Sequence, residues 1–471
     1  MNRIVFNLEL KSVLLRPAGL ILLVTLTVLA GVALHAGYQQ STLQADANRR
    51  HAETTEGTWQ AWRADLAGIE AGTVEATPLN AKPINVLYAA TLPPGPLGDF
   101  AIGLSEIHPG EAVITPRQDV AGLFPTYPFE NPDVLSLGRF DFALFVVILV
   151  PLAMIVLCFD AMGADRQSGR MPMLAAQNDK IGRFVWSRLV VRSAAVWLPV
   201  ALVATIALFA NAGDSPFAAR AGRFALFAGA TAIYAGFWFA VIAFAVAFIR
   251  RSTVVATSLL TIWLLLVFGI PAATSALRDT ANPLPSRLAF LSEMRTAESE
   301  AARSTQNLTD QYFTDHPELT IEDEEAPRWH RDVFVTNLAV NERLVPVFDT
   351  FESQRANRAR TTGIAQFASP SMVALNALVA IADGDALRAQ RFQSEAREHL
   401  LDLSERLGPS IMSGGRITGD EADDLPAFEF YDPSTLTVAQ RFMLPIGIVF
   451  LVSLLLGAIA RVRLRTSIDV I

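Results

Sequence analysis

Residues 224–277 read FALFAGATAIYAGFWFAVIAFAVAFIRRSTVVATSLLTIWLLLVFGIPAATSAL, two long apolar stretches joined at an arginine pair. About 20 apolar residues of helix cross the roughly 30 Å hydrocarbon core of a bilayer, where a helix satisfies its own backbone polar groups. Arg250 and Arg251 favour a cytoplasmic turn between the stretches, because positive residues resist translocation. This part of the chain therefore predicts two membrane-spanning helices that connect on the inside.

Four further apolar stretches lie on either side of this pair, and the chain is 52% hydrophobic with a mean hydropathy of +0.35. The sequence predicts a mainly α-helical membrane protein with six transmembrane helices. Pro199 and Pro271 fall within two of them, and we expect kinks there rather than breaks. The predicted spans are residues 17–36, 141–159, 193–211, 224–249, 253–277 and 441–460.

Positive residues cluster beside alternate ends of these spans, although the net charge is −8. They precede the first span, fill the link 160–192 and occupy the tail 461–471. This pattern predicts that both termini and the link are cytoplasmic. The two long polar regions, 37–140 and 278–440, are then extracytoplasmic.

The two polar regions differ in character. The first polar region, 37–140, begins with a helical pattern near 39–69 and becomes rich in proline and glycine, which predicts a mixed α/β or irregular domain. The second polar region, 278–440, has helical periodicity in 287–312, 328–361 and 372–407, which predicts a mostly helical and acidic domain. Cys158 is the single cysteine, so neither domain is held by an intramolecular disulfide.

Residues 1–16 place Ile4, Leu8 and Ser12 near one helical face and Lys11 near another, which predicts a cytoplasmic helix at the membrane interface. A simple polar flank is the alternative. A third interpretation, a signal peptide cleaved near Ala36, would leave the later topology unchanged.

The link 160–192, which we call the coupling segment, is longer than a turn requires. Its residues 170–176 are compatible with a short helix, and they carry Met171, Met173 and Leu174 among charges. Such a stretch suits docking into a groove of a soluble partner. The alternative is a solvated connector whose charges only set the topology.

The coupling segment resembles that of type-2 ABC transporter permeases, in which an acidic residue, an arginine and a glycine precede a short helix that contacts the ATPase subunit. Six spans and an amphipathic N-terminal helix are also similar to that family. One departure is that Arg170 and Met171 stand where the family usually has threonine and leucine, which leaves the affinity and identity of the partner open. The resemblance implies ATPase-coupling roles for Asp165, Arg166, Gly169, Arg170, Met171 and Leu174.

Short patterns elsewhere are similar to a bacterial branch of these permeases with two large extracytoplasmic insertions of unassigned function. The resemblance implies a place in the bacterial inner membrane, separate ABC ATPase subunits that bind ATP and Mg, and a second permease chain, identical or paralogous. A periplasmic partner or substrate is also implied, and no nucleic acid is. The residues that carry this resemblance are Leu92-Pro93-Pro94, 103–109, Asn131-Pro132, 137–141, Ser369-Pro370, Gly384, Arg388 and Phe392.

The motifs that are missing limit the function of this chain. It has no Gly-x-x-x-x-Gly-Lys-Ser/Thr phosphate loop and no Gly-x-Ser-x-Gly elbow, so we expect neither bound nucleotide nor enzymatic activity within it. Glu395 and His399, one helical turn apart, are the nearest approach to a metal-ligand pair, and we expect a helix-surface contact instead, with no metal or cofactor.

The spans carry no charged residue near their centres, which argues against an ion relay; Tyr234, Gly229 and Gly236 are expected to serve helix packing.

The competing function is a non-transport membrane scaffold or sensor with partner-binding outer domains. A third possibility is mechanotransmission, in which ATP moves the outer domains without cargo crossing.

Overall fold

The structure is a computed structural model that describes residues 3–77, 79–103, 110–124, 140–169, 173, 181–211, 215–281, 287–321 and 328–466. It is 79% helical, which confirms the mainly α-helical class. The helices are α1 (Arg3–Leu14), α2 (Pro17–Glu70), α3 (Phe142–Cys158), α4 (Gly163–Gln167), α5 (Ile181–Ala210), α6 (Phe217–Phe248), α7 (Ser252–Leu264), α8 (Ile270–Ala281), α9 (Arg287–Asp315), α10 (Arg328–Ala365), α11 (Pro370–Ile381), α12 (Ala386–Ser413), α13 (Gly419–Asp423) and α14 (Thr435–Thr466).

Among the residues that the structure describes, five helices are long and apolar enough to cross a membrane, which indicates a membrane protein. They are α2, α5, α6, α14 and the pair α7–α8, which runs from Ser252 to Thr280 through a π-helical turn, Leu265–Gly269. The remaining predicted span corresponds to α3, an apolar helix of 17 residues, at the short end of what can cross a bilayer. Pro199 lies within the unbroken helix α5, whereas Pro271 follows the π-helical turn.

Helix α2 joins the first predicted span to the first polar region without a break. It has 54 residues, and at 1.5 Å per residue it is about 80 Å long. Gly37 lies where the predicted span ends, and a Cβ there would be 2.1 Å from the carbonyl oxygen of Asp99. The first polar region therefore packs against a helix that continues without a break from a predicted span.

The described part of the first polar region contains helix and a small sheet. Strands β1 (Tyr88–Thr91) and β2 (Glu111–Ile114) pair antiparallel, with Tyr88 opposite Ile114. The sheet lies against α2. Asn48 Nδ2 donates to the carbonyl of Leu92, directly after β1 (2.6 Å), and His51 Nε2 lies 3.0 Å from the carbonyl of Ala112 in β2.

The second polar region is helical, and its first two predicted helices are confirmed as α9 and α10. These helices run antiparallel, since Arg343 of α10 binds Glu293 (2.9 Å) and Glu300, while Thr336 lies 3.1 Å from Thr305. Apolar residues of α2, the sheet, α9, α10 and α12 form one hydrophobic core, which we call the polar-region core.

The third predicted helix, 372–407, is wrong as a single element. The structure has two helices there, α11 and α12, bent by 42° relative to each other. Asp383 has φ +62° in the break, a left-handed conformation that no helix continues, and Gly384 follows it. Helix α11 leaves the polar-region core and packs with α3, α6 and α14 in the hydrophobic core of the spans.

Candidate coupling region

Arg188 and Arg192 lie four residues apart on α5 and so share one face of that helix. Glu9 of α1 accepts hydrogen bonds from both, at 2.6 Å from Arg188 Nε and 3.1 Å from Arg192 Nε. Arg192 and Glu9 are buried, with side-chain exposures of 5% and 8%, and Arg188 is partly buried at 15%. The N-terminal helix is therefore held to α5 by charge-assisted hydrogen bonds.

The same two arginines also hold residues 160–165, a part of the coupling segment that precedes α5. Arg188 Nη1 donates to the carbonyl of Ala161 (3.0 Å) and pairs with the carboxylate of Asp165. Arg192 Nη1 donates to Asp160 Oδ1 at 2.6 Å. We call Glu9, Asp160, Asp165, Arg188 and Arg192 the connector network, which ties three parts of the chain into one unit.

The turn between α6 and α7 closes on the coupling segment as well. Arg166 Nη1 donates to the carbonyl of Ile249 (3.3 Å), and burial together with the nearby Arg250 lowers the pKa of Arg166. Gly163 of α4 lies directly against Ser252, since a Cβ at Gly163 would be 1.5 Å from Ser252 Oγ. Only a residue without a side chain fits this approach.

The residues with predicted coupling roles fall into four groups. Asp165 belongs to the connector network, and Arg166 contacts the α6–α7 turn. Gly169 is exposed with φ +68°, a backbone conformation that favours glycine. The neighbouring Met173 is 66% exposed. Arg170, Met171 and Leu174 lie outside the described residues.

Sequence reasoning missed Glu9 and Asp160 and gave Arg188 and Arg192 a role only in topology. Two signals were present in the sequence. One is the spacing of four residues between two arginines in a largely apolar helix, and the other is Glu9 as a single acidic residue within the basic N-terminal stretch. Neither signal names the partner, because the pairing joins residues about 180 positions apart.

A second set of buried charges lies at the opposite end of α6. Arg220 Nη2 is 3.2 Å from Asp99 Oδ2, which also accepts from Asn211 Nδ2 at 2.8 Å. Burial raises the pKa of Asp99, while Arg220 opposes the shift. Arg223 Nη2 is 3.3 Å from Asp383 Oδ2, and both of these side chains are 3% exposed. The start of α6 is thus bound to both polar regions.

Arg388 joins the two polar regions to each other. Its Nη2 donates to the carbonyl of Pro93 (2.7 Å), and its guanidinium binds both oxygens of Asp432 (2.6 and 2.9 Å). Gly103 lies beside Gly384, whose carbonyl oxygen would be 2.3 Å from a Cβ at Gly103. Short patterns that are far apart in the sequence therefore meet at this junction.

The packing roles expected in α6 are met in part. Tyr234 Oη donates to the carbonyl of Val147 (2.9 Å) and lies 3.0 Å from Ser371 Oγ, so it joins three helices. Gly229 and Gly236 do not serve packing within the described chain, because no described atom lies within 4 Å of a Cβ built at either position.

In the parts of the chain that the structure describes, no group of three or more His, Cys, Asp and Glu residues could hold a metal ion. Glu395 accepts a hydrogen bond from Arg391 (2.6 Å). His399 packs edge-on against Tyr88 and Phe428. Each member of the Glu395–His399 pair is thus engaged with other side chains.

A family model matches part of the chain. Residues 287–431 match the family described as a domain of unknown function, DUF3526, and this match lies within the second polar region. No curated protein matches the chain, and no solved structure does.

Proposed function

We propose that this chain is the membrane-spanning permease subunit of an ATP-binding-cassette transporter in a bacterial inner membrane. It crosses six times, with α3 as the short span, and carries two extracytoplasmic domains and cytoplasmic termini. Separate ATPase subunits bind ATP and Mg, and a second permease chain, identical or paralogous, completes the membrane core. The chain itself is not an enzyme.

The connector network is the observation that carries this proposal. A permease must turn a push on its coupling segment into movement of its spans, and Asp165, just before the proposed docking residues, is bound to Arg188 of α5. Arg188 also binds Glu9 of α1. Buried ion pairs resist separation, because breaking one leaves a charge in a poorly solvated site. A force on the segment would therefore reach α1 and α5 together.

Helix α2 supports an output at the extracytoplasmic domains. It continues from a span into the polar-region core, to which it contributes Trp62 and Leu66. Movement of this span would move the first polar region as a rigid body. The same stroke could drive substrate translocation or mechanotransmission, and cargo flux in proteoliposomes separates these two outcomes.

The alternative is a membrane scaffold or sensor whose outer domains bind a partner. The junction of Asp99, Arg220, Arg223 and Asp383 favours it equally, since it ties the polar regions to the spans without requiring ATP. A neighbouring gene for an ATPase favours transport, and one for a kinase or regulator favours sensing.

The test is to co-purify the chain with the ATPase encoded beside it and to introduce Leu174→Asp. We expect this acidic side chain to weaken ATPase binding at least tenfold and to remove stimulation of ATP hydrolysis, because a charge would enter an apolar contact. Ile321→Asp is the matched control, since Ile321 is 48% exposed in the second polar region. Unchanged binding and stimulation in Leu174→Asp would reject the docking role.

A further inference from the structure

Helix α11 belongs to the second polar region by sequence and to the spans by packing. Its 12 residues place Val373, Ala377 and Leu378 in the hydrophobic core of the spans, with exposures of 2% or less. Lipid is as apolar as these side chains, so the hydrophobic effect does not hold the helix there. Close packing of small residues and hydrogen bonds to neighbouring helices must do so.

Contacts at the two ends of α11 show how far this helix extends along α6. At its start, Ser371 Oγ lies 3.0 Å from Tyr234 Oη, near the middle of α6. Beyond its other end, Asp383 pairs with Arg223, in the first turns of α6. The stretch of α6 between these contacts is about 16 Å long at 1.5 Å per residue, and α11 is about 18 Å long. Helix α11 thus runs antiparallel to α6 over about half the thickness of a bilayer.

The N-terminal end of α11, which we call its inner end, contacts the π-helical turn between α7 and α8. Ser369 Oγ donates to the carbonyl of Leu266 (2.5 Å), within the π-helical turn Leu265–Gly269 midway along Ser252–Thr280. The hydroxyl of Ser369 also caps α11 by accepting from the backbone N–H of Ser371. A π-helical turn is a place where a helix can change its register, and such turns are frequent at functional sites.

At its C-terminal end, which we call its outer end, α11 is joined by a short connection to α12, which packs in the polar-region core. Gly384 N donates to the carbonyl of Val379 (3.0 Å) and so closes α11, and α12 starts at Ala386. Helix α12 then enters the polar-region core, where Phe392 and Leu400 are fully buried. The two helices therefore belong to different packed bodies and are linked by four residues around a 42° bend.

We infer that α11 is a membrane-inserted lever, which carries movement of the spans to α12 and the second polar region through the buried joint at Asp383 and Gly384. The inference rests on the proposed function, because the ATPase supplies the movement. Its inner end follows the π-helical turn through Ser369, and its length follows α6 through Tyr234. Packed helices shift as units, so displacement at the inner end must appear at the joint.

The test measures the distance between two spin labels by pulsed electron paramagnetic resonance in the complex with the ATPase. One label is at Phe209→Cys, at the end of α5 and 67% exposed, and the other at Glu398→Cys on α12, both in a Cys158→Ser background. We expect the distance distribution to shift between the nucleotide-free and the vanadate-trapped states.

Two variants then separate a lever from passive packing. Two glycines inserted between Asp383 and Gly384 should at least halve the shift while the ATPase still binds and hydrolyses ATP, because a flexible joint transmits no rotation. Ser369→Ala, which leaves the joint intact and frees the inner end, should also reduce the shift. It serves as the test if the insertion does not fold.

The outcomes distinguish the lever from the proposed function. An ATPase that neither binds nor is stimulated would reject the permease proposal and, with it, the source of movement for the lever. Stimulated hydrolysis with no distance shift, or with the same shift in the wild-type chain and in both variants, would overturn the lever alone.

Discussion

Glu9 holds the coupling region together at the scale of single residues, because it accepts from both Arg188 and Arg192 and its side chain is 8% exposed. Glu9→Ala would leave the buried guanidinium of Arg192 and the partly buried guanidinium of Arg188 each short of an acceptor. We expect the free energy of unfolding in detergent to fall by about 3–5 kcal/mol, the usual cost of breaking a buried pair. Helix α1 should also become sensitive to protease.

The control for this prediction is Lys11→Ala, two residues further along α1, where the side chain is exposed. Such a surface change should alter stability by less than about 0.5 kcal/mol. Equal effects of the two substitutions would show that α1 is not held through Glu9.

The sequence identifies some of these residues and not others, for a physical reason. Asp165 and Gly169 stand in a local pattern, and the φ of +68° at Gly169 is a property of its own backbone. The role of Glu9 depends on a helix about 180 residues away. No local spacing specifies such a contact, which becomes visible only when α1 packs against α5.

At the scale of elements, the stability of the bundle depends on how closely its helices approach one another. Gly182 of α5 lies against the end of α14, and a Cβ at this position would be 2.4 Å from the carbonyl oxygen of Leu464. Gly182→Ala must push two helices apart at a backbone contact that cannot rotate away. We expect a loss of at least about 1 kcal/mol in unfolding experiments, as overpacking typically costs.

Gly229→Ala is the matched control, because no described atom lies within 4 Å of a Cβ at that position of α6. Alanine is the better helix former, so this substitution should leave stability unchanged or raise it slightly. If Gly182→Ala were equally harmless, the contact between α5 and α14 would not be as close as described.

Most elements follow from the sequence, since long apolar stretches can cross a membrane only as helices. The break between α11 and α12 does not follow, because the helical periodicity of 372–407 continues through Asp383 and Gly384. Nor does the placement of α11 among the spans. An apolar face indicates that a helix is buried, but it does not indicate in which of the two hydrophobic cores the helix packs.

The arrangement of charge is what organises the whole molecule. Arginines of the connector network lie at one end of α5, and the pairs of Arg220 and Arg223 lie at the end of α6 that carries the polar regions. The arginines of the connector network could be anticipated from the sequence, because positive residues mark the inner ends of spans. Arg220 and Arg223, at the other end, do not follow this rule and are instead paired with acidic residues of the polar regions. The pairing partners could not be anticipated, since they depend on the packing of distant segments.

The most direct test of the account asks on which side of the membrane the coupling segment lies. Met173→Cys (66% exposed) and Tyr431→Cys (67% exposed) would be treated, each in a Cys158→Ser background, with a membrane-impermeant maleimide on spheroplasts. The account predicts labelling of Tyr431→Cys on intact spheroplasts and of Met173→Cys only after the membrane is permeabilised. Labelling of Met173→Cys on intact spheroplasts would contradict it.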